Sequence, residues 1–297
     1  MNVLFECTYQ GRRHIGLGLP AEGEPLRLVP LGDRDLKDLL LVGADLADLA
    51  DLADEPATTV PAGELDAVSF RPPLLPDHPG GAMVGGFMQT HNVKVDADTP
   101  AQPNWFLKGL GDVLRISGEE LRAPAGSVAL TEEAEVVLVY VTDAAGEPRY
   151  AGYTFGNDLT DIGRFRRNRG HLSYAKLCDA AVAPWLFLGD PPSHVTGHVT
   201  IERDGEPCWR GEFTTGTKAL HYGLDAIMSE LFSHDALLTP GRVHYVYLGA
   251  DRSSFHDGFR MADRDRVTLD FASHGVTLSN TVSCASPMLA AAAREGS

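Results

Sequence analysis

Basic charge is scarce in this 297-residue chain, in which 25 Lys and Arg stand against 41 Asp and Glu for a formal charge of -16. A field of that sign repels phosphate backbones and anionic lipid, which argues against nucleic acid or a membrane surface as partner. A small anionic substrate would need a local cationic device, either an Arg cluster or a bound metal ion. Cysteine is sparse as well. Cys7, Cys178, Cys208 and Cys284 lie far apart with no C-x-x-C pair, which speaks against zinc ribbons, thiol redox motifs and a disulfide framework and fits a reducing cytoplasm. No stretch approaches the ~18 apolar residues of a membrane helix, and Met1 to Pro20 lack the basic-then-apolar pattern of a signal peptide. The expectation is a cytoplasmic protein, neither exported nor anchored. Also missing are an H-E-x-x-H zinc helix, a G-x-S-x-G elbow and a phosphate loop ending in Gly-Lys-Ser/Thr.

What remains is an ordinary globular composition, 43% hydrophobic and 22% charged, long enough for roughly two structural units. Residues 1–75 read as a small N-terminal domain. Val3-Leu4-Phe5 and His14-Ile15-Gly16-Leu17 flank a turn at Gln10-Gly11, a hairpin signal. From Asp33 to Asp54 leucines recur at three- and four-residue spacings, a helical stripe. Its Asp45, Asp48, Asp51 and Asp54 fall every third residue, the pattern of a solvated helix face rather than of a calcium loop, which needs ligands at alternate positions and a glycine turn. The Pro- and Gly-rich passage from Arg71 through Gly80-Gly81 to Gly85-Gly86 reads as a linker or loop, which opens the second domain, 76–297. Strands are expected at Ala134–Thr142, Arg149–Phe155, His194–Glu202, Pro207–Thr214, Arg242–Leu248 and Val267–Phe271, and helices at Leu159–Asn168 and Leu220–Phe232. The fold class is therefore α+β, mostly β. Met288 to Ser297 reads as a frayed end.

The most informative stretch is Thr131-Glu132-Glu133-Ala134-Glu135-Val136-Val137-Leu138-Val139. Past Glu135 both alternating faces are apolar, the mark of a strand buried on both sides. A period of two puts Glu133 and Glu135 on one face. The turn cluster Asp143 to Pro148 sends the chain back antiparallel. With Ala145-Gly146 at its centre, Glu133 faces Asp158 and Glu135 faces Gly156, so three carboxylates converge within about 5 Å of directly opposed positions. Two readings stay open at this point. The acids are either a solvated strand entrance, with Asp158 capping the next helix, or a site for a hard divalent cation that offsets their repulsion.

Glu133-x-Glu135, Asn157-Asp158, Lys176 eighteen residues on and Pro184-Trp185 together resemble the fumarylacetoacetate hydrolase superfamily. Thr90-His91, Phe106-Leu107-Lys108, the Pro240-Gly241 turn and Gly275-Val276-Thr277-Leu278-Ser279-Asn280 extend the resemblance over residues 85–282. Asn157-Asp158-x-Thr160-Asp161 with Arg166, Asn168 and Ala175-Lys176-Leu177 is most similar to the branch of 2-keto-3-deoxy-sugar-acid dehydratases. The resemblance implies a mixed β-roll with a small N-terminal domain, usually a homodimer. It also implies Mg²⁺ or Mn²⁺ on Glu133, Glu135 and Asp158, Lys176 at the substrate and His91 as a possible base, with Lys108 as a further catalytic candidate. In the local positive cluster Arg164, Arg166, Arg167 and Arg169, Arg166 is the expected contact to an anionic sugar acid, joined by Asn168.

There are departures. The superfamily's C–C hydrolases carry Arg and Gln where this chain has Ile162 and Phe165, and their Thr-Gly-Thr segment is replaced by Leu248 to Ser254. The expected activity is therefore a metal-dependent lyase, a dehydratase of a 2-oxo or 2-keto-3-deoxy acid working through an enolate. The alternatives are a C–C hydrolase, decarboxylase or isomerase of an acylpyruvate-like compound, and a binding protein that has lost turnover. His194-x-x-x-His198 reads as strand rather than as a metal pair on a helix.

Overall fold

The computed structural model describes residues 3–284 apart from 22, 33, 35, 42–55, 97 and 98. Its first strands are β1 (Val3–Tyr9), β2 (Arg12–Leu17), β3 (Leu26–Pro30), β4 (Thr58–Val60), β5 (Ser69–Phe70), β6 (Ala82–Met88), β7 (Asn104–Leu110), β8 (Leu114–Arg115) and β9 (Glu120–Arg122). The later ones are β10 (Ala134–Thr142), β11 (Pro148–Asp158), β12 (Ala180–Val182), β13 (Trp185–Phe187), β14 (Val195–Arg203), β15 (Glu206–Thr215), β16 (Val243–Tyr247), β17 (Arg266–Phe271) and β18 (Val276–Ser283). Among the described residues the α-helices are short: α1 (Leu36–Leu41), α2 (Ile162–Arg167), α3 (Leu172–Ala175) and α4 (Leu224–Leu231). Of the expected Leu-rich helix, α1 is the described part; Asp45, Asp48, Asp51 and Asp54 lie outside the described residues, as does the tail from Met288.

A large mixed sheet runs β4-β3-β2-β1-β13-β11-β10-β16-β6-β7, and a smaller one runs β15-β14-β17-β18-β9. Val136, Leu138 and Phe155 of the large sheet pack against Val199, Ile201, Leu269, Phe271 and Leu278 of the small one. On the opposite face Val137, Val139 and Val141 join Tyr245 and Tyr247 with Leu4, Ile15, Val29 and Leu36. Strand β10 is thus covered on both sides, which is why its apolar run does not alternate.

Residues 1–75 contribute β1 to β5 and an apolar cluster around Phe5, Cys7, Leu26, Leu28 and Val60, against which Trp185 of β13 also packs. Their hairpin turns at Gln10 (φ 49°) and Gly11 (φ 72°), the two positive φ values that a tight two-residue connection needs. Strand β1 continues into the large sheet by pairing with β13, Val3 opposite Phe187.

One expectation is corrected. Gly85 and Gly86 are not loop residues but the middle of β6, between β16 and β7. A Cβ at Gly85 would lie 2.6 Å from the Phe106 carbonyl oxygen and one at Gly86 2.5 Å from that of Tyr247. These glycines permit close backbone approach within a buried sheet, a role that reads locally like a turn signal.

Candidate active site

The β10–β11 hairpin sets Glu135 opposite Gly156 and Ala134 opposite Asn157, and the Asp158 amide donates to the Glu133 carbonyl at 3.0 Å. The register at the site is the expected one, although the turn end is not. Thr142 pairs with Pro148, and a bulge at Ala151 beside Gly152 (φ 149°) restores the phase farther along. Two offsets of one residue cancel before the chain reaches the acids.

Glu133, Glu135 and Asp158 are all buried, and one carboxylate oxygen from each lies within 4.8 Å of the others. Two lysines attend them. Lys176 Nζ donates to Glu133 Oε2 at 2.6 Å, to Thr160 Oγ1 at 2.9 Å and to Asp158 Oδ2, and lies 4.3 Å from the centre of the Phe106 ring. Lys108 Nζ forms an ion pair with Asp158 Oδ1 at 2.6 Å and donates to the carbonyls of Leu159 and Lys176. Burial works against the Lys176 charge, but Asp158 and Glu133 outweigh it and raise its pKa. Burial also opposes ionisation of Glu133, yet Lys176 holds that carboxyl below its usual range. Glu135 is pushed well up, by burial and then by Asp158 and Glu133.

Fully ionised, the three carboxylates would exceed the two ammonium groups bonded to them by one negative charge, and Glu135 is the acid that this crowding and its burial push towards the neutral form. Glu135 Oε2 accepts from the Gly249 amide at 2.6 Å, while its Oε1 is buried with no hydrogen-bond partner. An oxygen-only donor set, an orphaned carboxylate oxygen and surplus negative charge fit a hard divalent cation.

A cavity of about 340 Å³ opens on Glu133 and is lined also by Met88, Gln89, Lys94, Ile162, Phe165, Arg166, Arg169 and His256. That volume falls in the ~300–1,000 Å³ range of small-molecule sites. Arg166 is among the lining residues. Asn168 is not: its Oδ1 accepts from the Gly170 amide at 2.9 Å and caps the turn after α2. His91 is buried away from the cavity lining, Nε2 being 2.8 Å from Thr215 Oγ1 and Nδ1 3.1 Å from Thr90 Oγ1. The Thr90 hydroxyl donates to the Leu248 carbonyl, so it accepts from His91 Nδ1, and the Thr215 hydroxyl is left to occupy Nε2. Neither nitrogen is free to take a substrate proton here. Burial, then Lys94, lowers the His91 pKa to about 4.

Sequence reasoning missed Lys94, Arg169 and His256. The first two stand in segments it had marked, beside His91 and within the arginine cluster. It also read Glu132 only as part of a charged strand entrance. Glu132 is fully buried, and its carboxylate takes the amide (2.7 Å) and hydroxyl (2.6 Å) of Ser254.

No family model matches the sequence, and no curated protein matches it either. Solved structures do. A 2-keto-3-deoxy-D-arabinonate dehydratase in its apo form superposes with a TM-score of 0.65 at 17% identity, over 95% of this chain and 98% of that one. The same enzyme complexed with magnesium and 2,5-dioxopentanoate gives 0.64 at 17%, with the same coverage. A 5-carboxymethyl-2-hydroxymuconate delta-isomerase from Mycobacterium smegmatis gives 0.59 at 18%, over 95% and 99%. The chain therefore has the mixed, mostly β fumarylacetoacetate-hydrolase-like fold that its motifs resemble.

Proposed function

We propose that this protein is a divalent-metal-dependent enzyme, using Mg²⁺ or Mn²⁺, that acts on a 2-oxo or 2-keto-3-deoxy acid through an enolate, with dehydration as the reaction. The observation that carries the reading is the meeting of Glu133, Glu135 and Asp158 within 4.8 Å beside a cavity flanked by Lys94, Arg166 and Arg169. These cations supply, in an acidic protein, the local attraction that an anionic acid requires. The shared fold of a dehydratase that holds magnesium and 2,5-dioxopentanoate supports the same choice.

Glu133, Glu135 and Asp158 would hold the cation. When bound, such an ion supplies Lewis-acid polarisation of the 2-oxo group. Lys176, kept protonated by its carboxylates, presents positive charge where negative charge develops on the substrate oxygen. Lys108 anchors Asp158 and the carbonyls of Leu159 and Lys176, so its part is to position ligands rather than to touch substrate. Ile162 and Phe165 give the cavity an apolar wall where C–C hydrolases of the superfamily carry polar groups, which favours loss of water over hydrolysis. A cytoplasmic setting and a homodimer belong to the same proposal, the dimer being tested by solution mass.

The deciding experiment presents 2-keto-3-deoxy acids and acylpyruvates to the purified protein with Mg²⁺ and with EDTA. Metal-dependent loss of water from the former is the expected result. Efficient metal-dependent hydrolysis of the latter would reverse the assignment to C–C cleavage, and no turnover of either class would leave a ligand-binding protein.

A further inference from the structure

His256 is the histidine that lines the cavity, among the described residues, and it faces the same space as Glu133. It sits in a short 3₁₀ turn, Ser254 to Asp257, that two ties hold in place. Glu132, adjacent in sequence to Glu133, grips the amide and hydroxyl of Ser254. Buried Ser253 places its hydroxyl 3.0 Å from His256 Nδ1. The tautomer in which Nδ1–H donates to Ser253 Oγ, which the proposal requires, leaves the Nε2 lone pair free, in contrast to His91, both of whose nitrogens are engaged.

We propose that His256 is the general base of this site and removes a C3 proton of the bound 2-oxo acid through Nε2, oriented by Ser253 and by the Glu132–Ser254 clamp. The inference rests on the 2-oxo-acid reading above. In the step the C3–H electron pair becomes the C2=C3 bond, the C2=O π pair moves onto oxygen to give the enolate, and the proton goes to Nε2, forming an imidazolium. No oxidant or second reactant is needed. His256 is exposed on one side; partial desolvation and then Lys94 lower the imidazole pKa, with Arg166 acting the same way, while a hydrogen bond from the ring to the Ser253 backbone and the Glu133 charge oppose them. The balance of these effects favours the neutral ring, the form a general base requires.

The test needs no knowledge of the natural substrate. In D₂O with Mg²⁺, proton NMR follows loss of the C3 signal of 2-oxobutanoate, while calorimetry follows binding of oxalate, which has no C–H to exchange. Wild-type protein should exchange the C3 protons and bind oxalate. His256→Gln should slow exchange at least ~100-fold, the scale of a lost general base, with oxalate affinity within about twofold, which also verifies folding. Ser253→Ala should slow exchange about tenfold by freeing the tautomer, again with oxalate binding retained. Exchange in His256→Gln at the wild-type rate overturns the assignment. So does a wild-type protein that binds oxalate but exchanges nothing. Absence of oxalate binding to the wild type in Mg²⁺ sinks the 2-oxo-acid reading itself, and this proposal with it.

Discussion

Glu132 and Ser254 are 122 residues apart in sequence and joined by two hydrogen bonds, the Ser254 amide on Oε1 at 2.7 Å and its hydroxyl on Oε2 at 2.6 Å. The pair ties the strand entrance that carries two of the candidate metal ligands to the turn that carries His256. Ser254→Ala should lower unfolding stability by about 1–3 kcal/mol, the cost of depriving a buried carboxylate of a donor. It should also slow C3 exchange more than it weakens oxalate binding. Denaturant melts and the NMR assay check both.

Cation binding should be visible without turnover. A ligand of the folded state alone stabilises it by about 2.7 kcal/mol at a hundredfold excess over Kd, so Mg²⁺ or Mn²⁺ should raise the melting temperature of the wild type. Glu135→Gln and Asp158→Asn, close in shape but poorer as ligands, should abolish that shift. A full metal-induced shift in both variants would place the ion elsewhere.

Lys176 should act by its charge and not as a Schiff-base nucleophile, because Asp158 and Glu133 keep it protonated. Borohydride should trap no substrate on the protein, and EDTA should end activity. Lys176→Met should reduce kcat by about 10²–10³-fold, the scale of a lost oxyanion-stabilising donor. Trapping at Lys176 together with EDTA-resistant activity would show covalent chemistry and make the carboxylate cluster structural.

Gly249 has φ 90°, and a Cβ there would lie 2.3 Å from Thr90 Oγ1 and 3.1 Å from the Phe87 carbonyl oxygen. Its amide also supports Glu135. Gly249→Ala should therefore cost about 2–4 kcal/mol, overpacking and backbone strain combined, and weaken cation binding by displacing Glu135. A variant as stable as the wild type would contradict this packing.

Acid should destabilise the fold through its buried histidines. His91 and His244 are lowered from 6.5 to about 4, by burial and then by Lys94 and Arg242 respectively. The unfolded chain takes up these protons first, so each contribution is complete above pH 6.5, shrinks as pH falls and is lost by about pH 4. Each amounts to at most about 3 kcal/mol. Glu132, raised by burial to about 7, works in the opposite sense. Comparison with His244→Gln isolates one histidine: between pH 6.5 and 5 the wild type should lose stability more steeply than the variant, by up to one proton in the slope.

Much of this site was legible along the chain. The β10 boundaries, the positions of Glu133 and Glu135 on one face and their pairing partners on β11 all follow from local periodicity and a turn signal, because a strand's period of two and a hairpin's register are short-range properties. The bulge beside Gly152 was not legible, and the register at the acids came out right because it compensated for the turn. Gly85 and Gly86 misled, since close backbone packing and loop flexibility use the same residue.

What the sequence by itself determined was the acidic field, the mostly β pattern and the hairpin that gathers three carboxylates. Tertiary structure alone decided which of the marked side chains face the cavity. His91 was turned inward onto Thr90 and Thr215, Asn168 was spent on a cap, and Lys94, Arg169 and His256 were carried to the cavity wall. Those outcomes depend on partners distant along the chain, such as Ser254 for Glu132 and Gly249 for Glu135. Burial and hydrogen-bond satisfaction are properties of the packed whole, and no local pattern encodes them.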